Sequence, residues 1–402
     1  MYYNSRTRKI IRMLYFRYRP ISELSLKELR YNEIYFSSTE ENNDPYDGKV
    51  FLSYEFDINK WERFFNTALA RTNIPKELLK RLSKELAKKI SECNIKTYND
   101  ISTYDFVNAI LSTNKKIGSI FAYHLSEVIK QFIDIYRPTD KYIVSFSKVN
   151  DNMLMWSHYA SKHKGFCLVF RSINGCLYQH KGKIKCGFGR NTPNGIIAKH
   201  GSFGINEKFP FTDIEYCSEC TMIDASMYMP QSVFGRNPQN EEERLAFSKE
   251  CYRKSFEKHK CWEYEQEARL VLDTPTPWIF GEHFNYTQDE RLFYYQPTQL
   301  VGIICGAWMD ENIKTRIKEI IHYHREEMWS NIKDDTVFDF VLFQAKISNE
   351  NRSIKVVPEL IYTSNEILQI NNQKFTQCYQ AWEEGEAIVF NGRGGAKKIR
   401  VS

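Results

Sequence analysis

The chain has 402 residues, a formal net charge of +6, 42% hydrophobic residues and 15% aromatic residues. This apolar content is enough for a packed core and excludes a disordered chain. No run approaches the roughly 20 apolar residues of a membrane helix. Ten cysteines occur without a secretory signal, so we expect a cytoplasmic protein with reduced thiols and no membrane contact.

The first 60 residues predict a strand, a helix and a second strand. Residues 13–20 read as a strand that Pro20 ends, residues 25–29 as a short helix, and residues 33–37 as the second strand. A polar loop rich in turn-forming residues follows at 42–48. Because Arg17 and Arg19 alternate with Tyr18, we expect both guanidinium groups on one face of the first strand.

The period of the apolar residues changes to that of a helix between residues 61 and 137. Leu79, Leu82, Leu86 and Ile90 keep a spacing of three to four residues after Pro75. We predict a helical insertion whose charged outer face is solvated or, alternatively, contacts DNA. Residues 1–60 and 138–360 then form one α+β core, and residues 361–402 form a C-terminal appendage.

Strand and helix patterns alternate through the second half of the chain. We predict strands at 142–147, 165–170, 300–306, 338–346 and 353–357, and helices at 151–160, 240–259 and 310–324. Residues 183–239 contain many Gly, Pro and Asn residues and form a long excursion of the kind that often carries function.

The segment before Leu270 places carboxylates at every second position. If this segment is extended, Glu263, Glu265 and Glu267 share one face. Like charges arranged in this way repel one another unless water, a cation or a ligand occupies the face. The pattern therefore indicates a functional site.

Four blocks, at residues 14–19, 34–47, 155–168 and 262–269, together resemble the prokaryotic domain-of-unknown-function family 2971. A more distant resemblance links the order of elements to the ADP-ribosyltransferase fold: a strand with a cation, a helix, a strand that ends in a hydroxyl, and a late Glu-x-Glu. It implies an α+β fold with a split mixed or antiparallel sheet and a helical insertion.

Several of these residues are suited to cleaving the nicotinamide–ribose bond of NAD. A carboxylate such as Glu265 or Glu267 stabilises the oxocarbenium character of the transition state. Arg17 or Arg19 offers the pyrophosphate bidentate contacts. Ser37 or Ser38 offers a hydroxyl to the ribose or to the carboxylate. The wall residues assigned to the nicotinamide and ribose are Tyr35, Trp156, His158 and Tyr159, for which a packed aromatic core or a structural histidine is the alternative.

We therefore expect an NAD-dependent ADP-ribosyltransferase or NAD glycohydrolase, of the kind found among bacterial toxins and antiphage defence effectors. NAD is its substrate, no metal is expected, and the acceptor is a nucleic acid or a protein. The chain lacks the Ser-Thr-Ser run of the arginine-modifying transferases, which leaves the acceptor class open.

Two alternatives remain open. One is a Mg²⁺-dependent nuclease that uses Asp44, Asp47, Glu265 and Glu267, although no Glu-x-Lys accompanies the acidic residues. The other is a sensor that binds a nucleotide without turnover.

Overall fold

A computed structural model describes residues 13–113, 117–139, 141–184, 189–192, 195–198, 207–219, 221–235, 241–274, 283, 285–330, 339–364, 366–390 and 396–400. Its strands are β1 (Leu14–Arg19), β2 (Glu33–Tyr35), β3 (Leu52–Ser53), β4 (Tyr142–Ser147), β5 (Phe166–Arg171), β6 (Cys176–Tyr178), β7 (Gly189–Thr192), β8 (Gly195–Ala198), β9 (Lys208–Pro210), β10 (Thr212–Asp213), β11 (Glu215–Cys217), β12 (Ile223–Asp224), β13 (Glu257–His259), β14 (Glu267–Leu272), β15 (Leu292–Tyr294), β16 (Leu300–Cys305), β17 (Asp339–Ser348), β18 (Ser353–Thr363), β19 (Ile367–Gln369), β20 (Glu386–Phe390) and β21 (Ala396–Arg400). Its helices are α1 (Glu23–Tyr31), α2 (Ile58–Leu69), α3 (Lys76–Ser91), α4 (Thr103–Thr113), α5 (Ser119–Ile135), α6 (Met153–Tyr159), α7 (Gln231–Phe234), α8 (Glu241–Lys254), α9 (Glu311–Ser330) and α10 (Phe375–Glu383).

A nine-stranded mixed sheet organises the fold, in the order β10-β14-β4-β1-β5-β16-β17-β18-β19. Neighbouring strands are antiparallel except β16 and β17, which α9 connects as a crossover helix. The α+β class predicted from the sequence is therefore confirmed, with a mixed sheet.

The sheet opens between β1 and β4. These strands share only the registered pair Phe16 with Ser147, whereas β1 pairs with β5 along its full length. Beyond that pair, β4 exchanges backbone hydrogen bonds of 2.9 Å with Ser37, at Ile143. On the side of β1 that faces β4, the residues from Arg17 onward therefore border a gap, while their other side stays paired with β5.

Side-chain alternation along β1 assigns its two faces to different cores. Tyr15 belongs to one apolar cluster, which includes residues of α1 and α9. Phe16 and Tyr18 belong to a second cluster on the other face, with Trp156. Arg17 lies on the Tyr15 face, so a guanidinium interrupts an otherwise apolar surface.

Helix α1 connects β1 to β2 and holds the strand end in place. Ser22 caps its first turn by accepting a 3.0 Å hydrogen bond from the backbone N–H of Ser25. Asn32 ends the helix in the left-handed conformation, at φ 56°. These caps fix where β1 ends and therefore where Arg19 lies.

The helices α2 to α5 build a separate apolar cluster, which also includes Leu52, Tyr54 and Phe56 ahead of them. Helix α10 packs on the cluster that contains Phe16 and Tyr18. The indole N–H of its Trp382 donates a 3.0 Å hydrogen bond to the carbonyl of Val301. The domain boundaries at 61–137 and 361–402 stay predictions. Within the described ranges, no helix combines the length and apolar character needed to cross a membrane.

Candidate functional site

The gap between β1 and β4 contains a cavity of about 450 Å³, a volume typical of small-ligand sites. Both strands contribute to it, together with the polar loop after β2 and the segment before β14. The residues that line it are Phe16, Arg17, Tyr18, Arg19, Pro20, Ser37, Glu41, Asn42, Asn43, Asp44, Asp47, Ile143, Val144, Ser145, Phe146, Ser147, Met155, Tyr159, Lys258, Trp262, Glu265 and Glu267.

The acidic segment is not the continuous strand that alternation predicts. Residues Lys260–Glu265 form a 3₁₀ helix, and Gln266 takes the left-handed conformation at φ 42° before β14 begins at Glu267. As a result Glu263 is exposed, while Glu265 and Glu267 are buried. The predicted single face of three carboxylates was wrong, because residues 260–265 form a 3₁₀ helix rather than an extended strand and Glu263 therefore lies apart from Glu265 and Glu267.

Lys258 is the cation that separates the two buried glutamates. It belongs to β13, and its Nζ donates hydrogen bonds of 2.7 Å to Glu265 and 3.0 Å to Glu267. Burial lowers the pKa of Lys258, but Glu267, Asp47 and Glu265 together raise it above its ordinary value. Lys258 is therefore protonated and neutralises part of the acidic charge.

Arg269 completes a buried ionic network from the next position on the same face of β14 as Glu267. Its guanidinium binds both oxygens of Glu267, with Nη2 at 2.9 Å from Oε2, and also binds Asp47. Burial raises the pKa of Glu267, but the charge and hydrogen bonds of Arg269 outweigh it and lower the pKa to about 2. Glu267 is therefore held as a carboxylate, and its oxygens are already engaged.

Glu265 has a different environment. Its Oε1 accepts a 2.5 Å hydrogen bond from the hydroxyl of Tyr159, and Oε2 accepts the bond from Lys258. Burial raises the pKa of Glu265 above its ordinary value, although Lys258 opposes the shift. No arginine pairs with Glu265 among the described residues, so it is the more basic of the two glutamates and the better placed to meet a ligand.

Arg17 lines the same cavity from β1 and is 8% exposed. Burial lowers its pKa to about 10, and the neighbouring Arg19 lowers it in the same direction. In the described part of the chain, its guanidinium makes no hydrogen bond or ion pair. The carboxylate of Glu28, which Arg19 already binds, favours the charged form of Arg17 but does not offset the burial and the repulsion from Arg19. A buried guanidinium without a hydrogen-bond partner is costly.

Two further donors that belong to lining residues of the cavity lack partners. Arg19 pairs with Glu28 through Nη2, but its buried Nε has no hydrogen-bond partner in the described residues. The same is true of Nδ2 of Asn42. Arg17, Arg19 and Asn42 thus carry unsatisfied donors, and all three residues line the cavity that Glu265 also lines.

The structure brings only part of the predicted site together. Arg17, Arg19, Ser37, Tyr159, Glu265 and Glu267 line the cavity. The predicted site residues outside its described lining are Tyr35, Ser38, Trp156 and His158.

Each of these four residues has another place in the structure. Tyr35 donates to Glu41, and Ser38 caps the turn that contains Glu41. Trp156 is fully buried and donates a 2.8 Å hydrogen bond to the carbonyl of Asn150. His158 is exposed on α6.

Sequence reasoning did not single out Lys258 or Asn42, nor did it place Arg269 with Asp47. Lys258 lies seven residues before Glu265, with no periodic pattern to connect them. A buried carboxylate pair requires a cation nearby, and that requirement is the one signal that points toward a lysine or arginine.

Metal binding would require free carboxylate oxygens. Among the described residues, no group of three or more His, Cys, Asp or Glu side chains is placed to hold a metal ion. Asp47 and Glu267 share Arg269, and Lys258 contacts both glutamates. The carboxylates of Asp47, Glu265 and Glu267 are thus all paired with protein cations in this arrangement.

Comparison with known proteins gives one match. No curated protein and no solved structure matches the chain. The family model described as "Protein of unknown function (DUF2971)" matches residues 155–270. This range contains Tyr159, Lys258, Glu265, Glu267 and Arg269, whereas Arg17 and Asp47 lie outside it. The resemblance to family 2971 is therefore confirmed over residues 155–270.

Proposed function

We propose that this cavity binds NAD and that the protein cleaves the nicotinamide–ribose bond, as an ADP-ribosyltransferase or an NAD glycohydrolase. The observation that carries the proposal is the buried guanidinium of Arg17, which makes no hydrogen bond or ion pair among the described residues and belongs to a residue that lines the same cavity as Glu265. A dinucleotide supplies the two features that such a cavity requires, an anionic pyrophosphate and a ribose that develops positive charge.

The pyrophosphate is assigned to the donors that lack partners. Arg17 offers a planar guanidinium for bidentate contact with phosphate oxygens. Nε of Arg19 and Nδ2 of Asn42 offer two further N–H groups. Phosphate binding would satisfy all three side chains, so their burial is explained by one ligand group.

Glu265 is assigned to the reacting ribose. When the C1′–N bond breaks, its electron pair leaves with nicotinamide and positive charge develops on the ribose. The carboxylate of Glu265 stabilises that charge, and a water or acceptor nucleophile then bonds to C1′ and loses one proton. Tyr159 and Lys258 hold the two oxygens of Glu265 in place during this step.

The nuclease alternative is weakened by the ionic network. A nuclease site usually has a lysine beside its acidic residues. The sequence has no Glu-x-Lys there, but in the structure Lys258 occupies such a position. However, Mg²⁺ prefers an octahedral set of free oxygens, and the carboxylates of Asp47 and Glu267 are already bound to Arg269. Placing Mg²⁺ there would require the displacement of a fully buried guanidinium.

The experiment is incubation of the purified full chain with NAD, followed by chromatographic measurement of nicotinamide and ADP-ribose. We expect release of nicotinamide that Glu265→Gln lowers by about 100-fold, since loss of a preorganised charge at a transition state typically has this effect. The matched control is Glu263→Gln, in the same 3₁₀ segment but exposed, which retains the rate of the unaltered chain.

A second arm adds DNA, RNA or protein with labelled NAD. Transfer of label identifies a transferase, and release of free ADP-ribose identifies a glycohydrolase. Binding of NAD without nicotinamide release would contradict the proposal and support a sensor. Mg²⁺-dependent cleavage of nucleic acid without loss of NAD would contradict it in favour of a nuclease.

A further inference from the structure

Helix α3 carries a row of lysines at every fourth position, Lys76, Lys80, Lys84 and Lys88. All four side chains are exposed. Residues four apart lie on one face of a helix, and the three intervals between Lys76 and Lys88 extend the row over about 18 Å. We name these four residues the lysine row.

The helix is strongly basic for its length. It contains six basic residues and two glutamates, which give a formal charge of +4 over 16 residues. The whole chain of 402 residues has a formal charge of +6. The formal charge of this one helix is therefore two thirds of the formal net charge of the whole chain.

The lysine row has no counter-ions in the described part of the chain. No ion pair involves its lysines, although Glu77 and Glu85 belong to the same helix. Helix α9, also at the surface, differs because Arg316 pairs with Glu23 and Lys314 pairs with Glu359. Like charges four residues apart repel one another, so the lysine row destabilises α3.

The opposite face of α3 explains how the row stays in place. Leu82, Leu86, Ala87 and Ile90 are buried in the apolar cluster of the helices α2 to α5. The row is therefore presented on a packed helix. A rigid line of positive charge is complementary to a regular line of phosphates.

We propose that the lysine row binds the phosphate backbone of a nucleic acid duplex. Lysine contacts with phosphate position a protein on a duplex without reading its sequence. A single-strand site would combine basic side chains with aromatic platforms for the bases, and α3 contains no aromatic residue. Duplex binding by α3 requires no NAD chemistry at the cavity.

The test is fluorescence anisotropy of a labelled 24-base-pair duplex, as DNA in one arm and as RNA in the other, with the full chain at 50 to 200 mM KCl. The variant replaces the lysine row by glutamine (K76Q, K80Q, K84Q and K88Q), which preserves helix propensity. The charge-matched control replaces four exposed lysines elsewhere, none of which forms an ion pair in the described residues (K164Q, K181Q, K346Q and K355Q).

We expect the unaltered chain and the control to bind one or both duplexes, and the lysine-row variant to bind at least tenfold more weakly at 100 mM KCl. Because each phosphate contact contributes about 0.9 to the slope of log K against log salt, the slope falls by about 3 to 4 in the variant. Circular dichroism verifies that α3 stays folded. No binding of either duplex, or an equal loss in the control, would overturn the proposal.

Discussion

The ammonium group of Lys258 donates a 2.7 Å hydrogen bond to Oε2 of Glu265, and both side chains are buried. The same Nζ lies 3.0 Å from Oε2 of Glu267. One lysine thus divides its charge between a glutamate that Arg269 also holds and a glutamate that no arginine holds among the described residues. The ionisation of Glu265 therefore depends on Lys258 far more than that of Glu267 does.

Replacement of Lys258 by methionine tests this dependence. Loss of one partner from a buried ionic network costs about 3–5 kcal/mol of unfolding free energy, which urea denaturation measures. If NAD is the substrate, the acid limb of the pH–rate profile moves to higher pH, because Glu265 loses the cation that opposes the rise of its pKa.

The matched control for Lys258→Met is Lys260→Met, since Lys260 is exposed and lies two residues away. Its unfolding free energy should change by less than about 0.5 kcal/mol. Equal losses of unfolding free energy in the two variants would show that the loss in Lys258→Met does not come from its ion pairs with the buried carboxylates.

Arg17 and Arg269 are both buried guanidinium groups, yet we expect opposite effects on stability when each is replaced by methionine. Arg17→Met removes a buried charge that makes no hydrogen bond or ion pair among the described residues, while Glu28 keeps Arg19 as its partner, and we expect the unfolding free energy to rise by about 1–2 kcal/mol. Arg269→Met leaves Glu267 and Asp47 with Lys258 as their shared cation, which Glu265 also binds, and we expect a loss of about 3–5 kcal/mol.

The same two variants separate binding from folding. NAD binding, measured by calorimetry, should be lost in Arg17→Met although the protein is more stable. A loss of stability in Arg17→Met comparable with that of Arg269→Met would mean that Arg17 has a structural partner, and the assignment of the phosphate contact to it would then be wrong.

Tyr159 supplies the second hydrogen bond to Glu265. Replacement by phenylalanine removes a hydrogen bond to a buried carboxylate, which contributes about 1.5–3 kcal/mol. The comparison variant is Tyr35→Phe, because the hydroxyl of Tyr35 also donates to a carboxylate, that of Glu41, but in an exposed position. Urea denaturation should show a smaller loss for Tyr35→Phe, and a loss equal to that of Tyr159→Phe would contradict the burial argument.

Local patterns predicted much of the fold. Apolar spacing over Leu79 to Ile90 corresponds to α3, and the alternation over β1 placed Arg17 and Arg19 on one face and at one cavity. These features depend on residues close together in the chain, so that their periods are visible in the sequence.

The features that the sequence did not predict depend on long-range contacts or on one backbone angle. Gln266 is not a glycine, so its left-handed conformation, which ends the 3₁₀ helix before β14, has no sequence signal. The pairing of Arg269 with Asp47 joins residues 222 positions apart. The opening between β1 and β4 likewise depends on the competing bridge between Ser37 and Ile143.

Glu267 provides a pH-dependent test of the network. Its pKa falls from 4.5 in the ordinary state to about 2 in the folded protein. A carboxylate with a depressed pKa contributes stability that is fully present above about pH 4.5 and is lost as the pH falls toward 2. We expect the unfolding free energy in urea to decrease over this interval, and to decrease less steeply in Glu267→Gln, which has no group to protonate. Glu263→Gln, which changes an exposed carboxylate, should keep the slope of the unaltered chain, and equal slopes for the unaltered chain and Glu267→Gln would contradict the assigned role of Arg269.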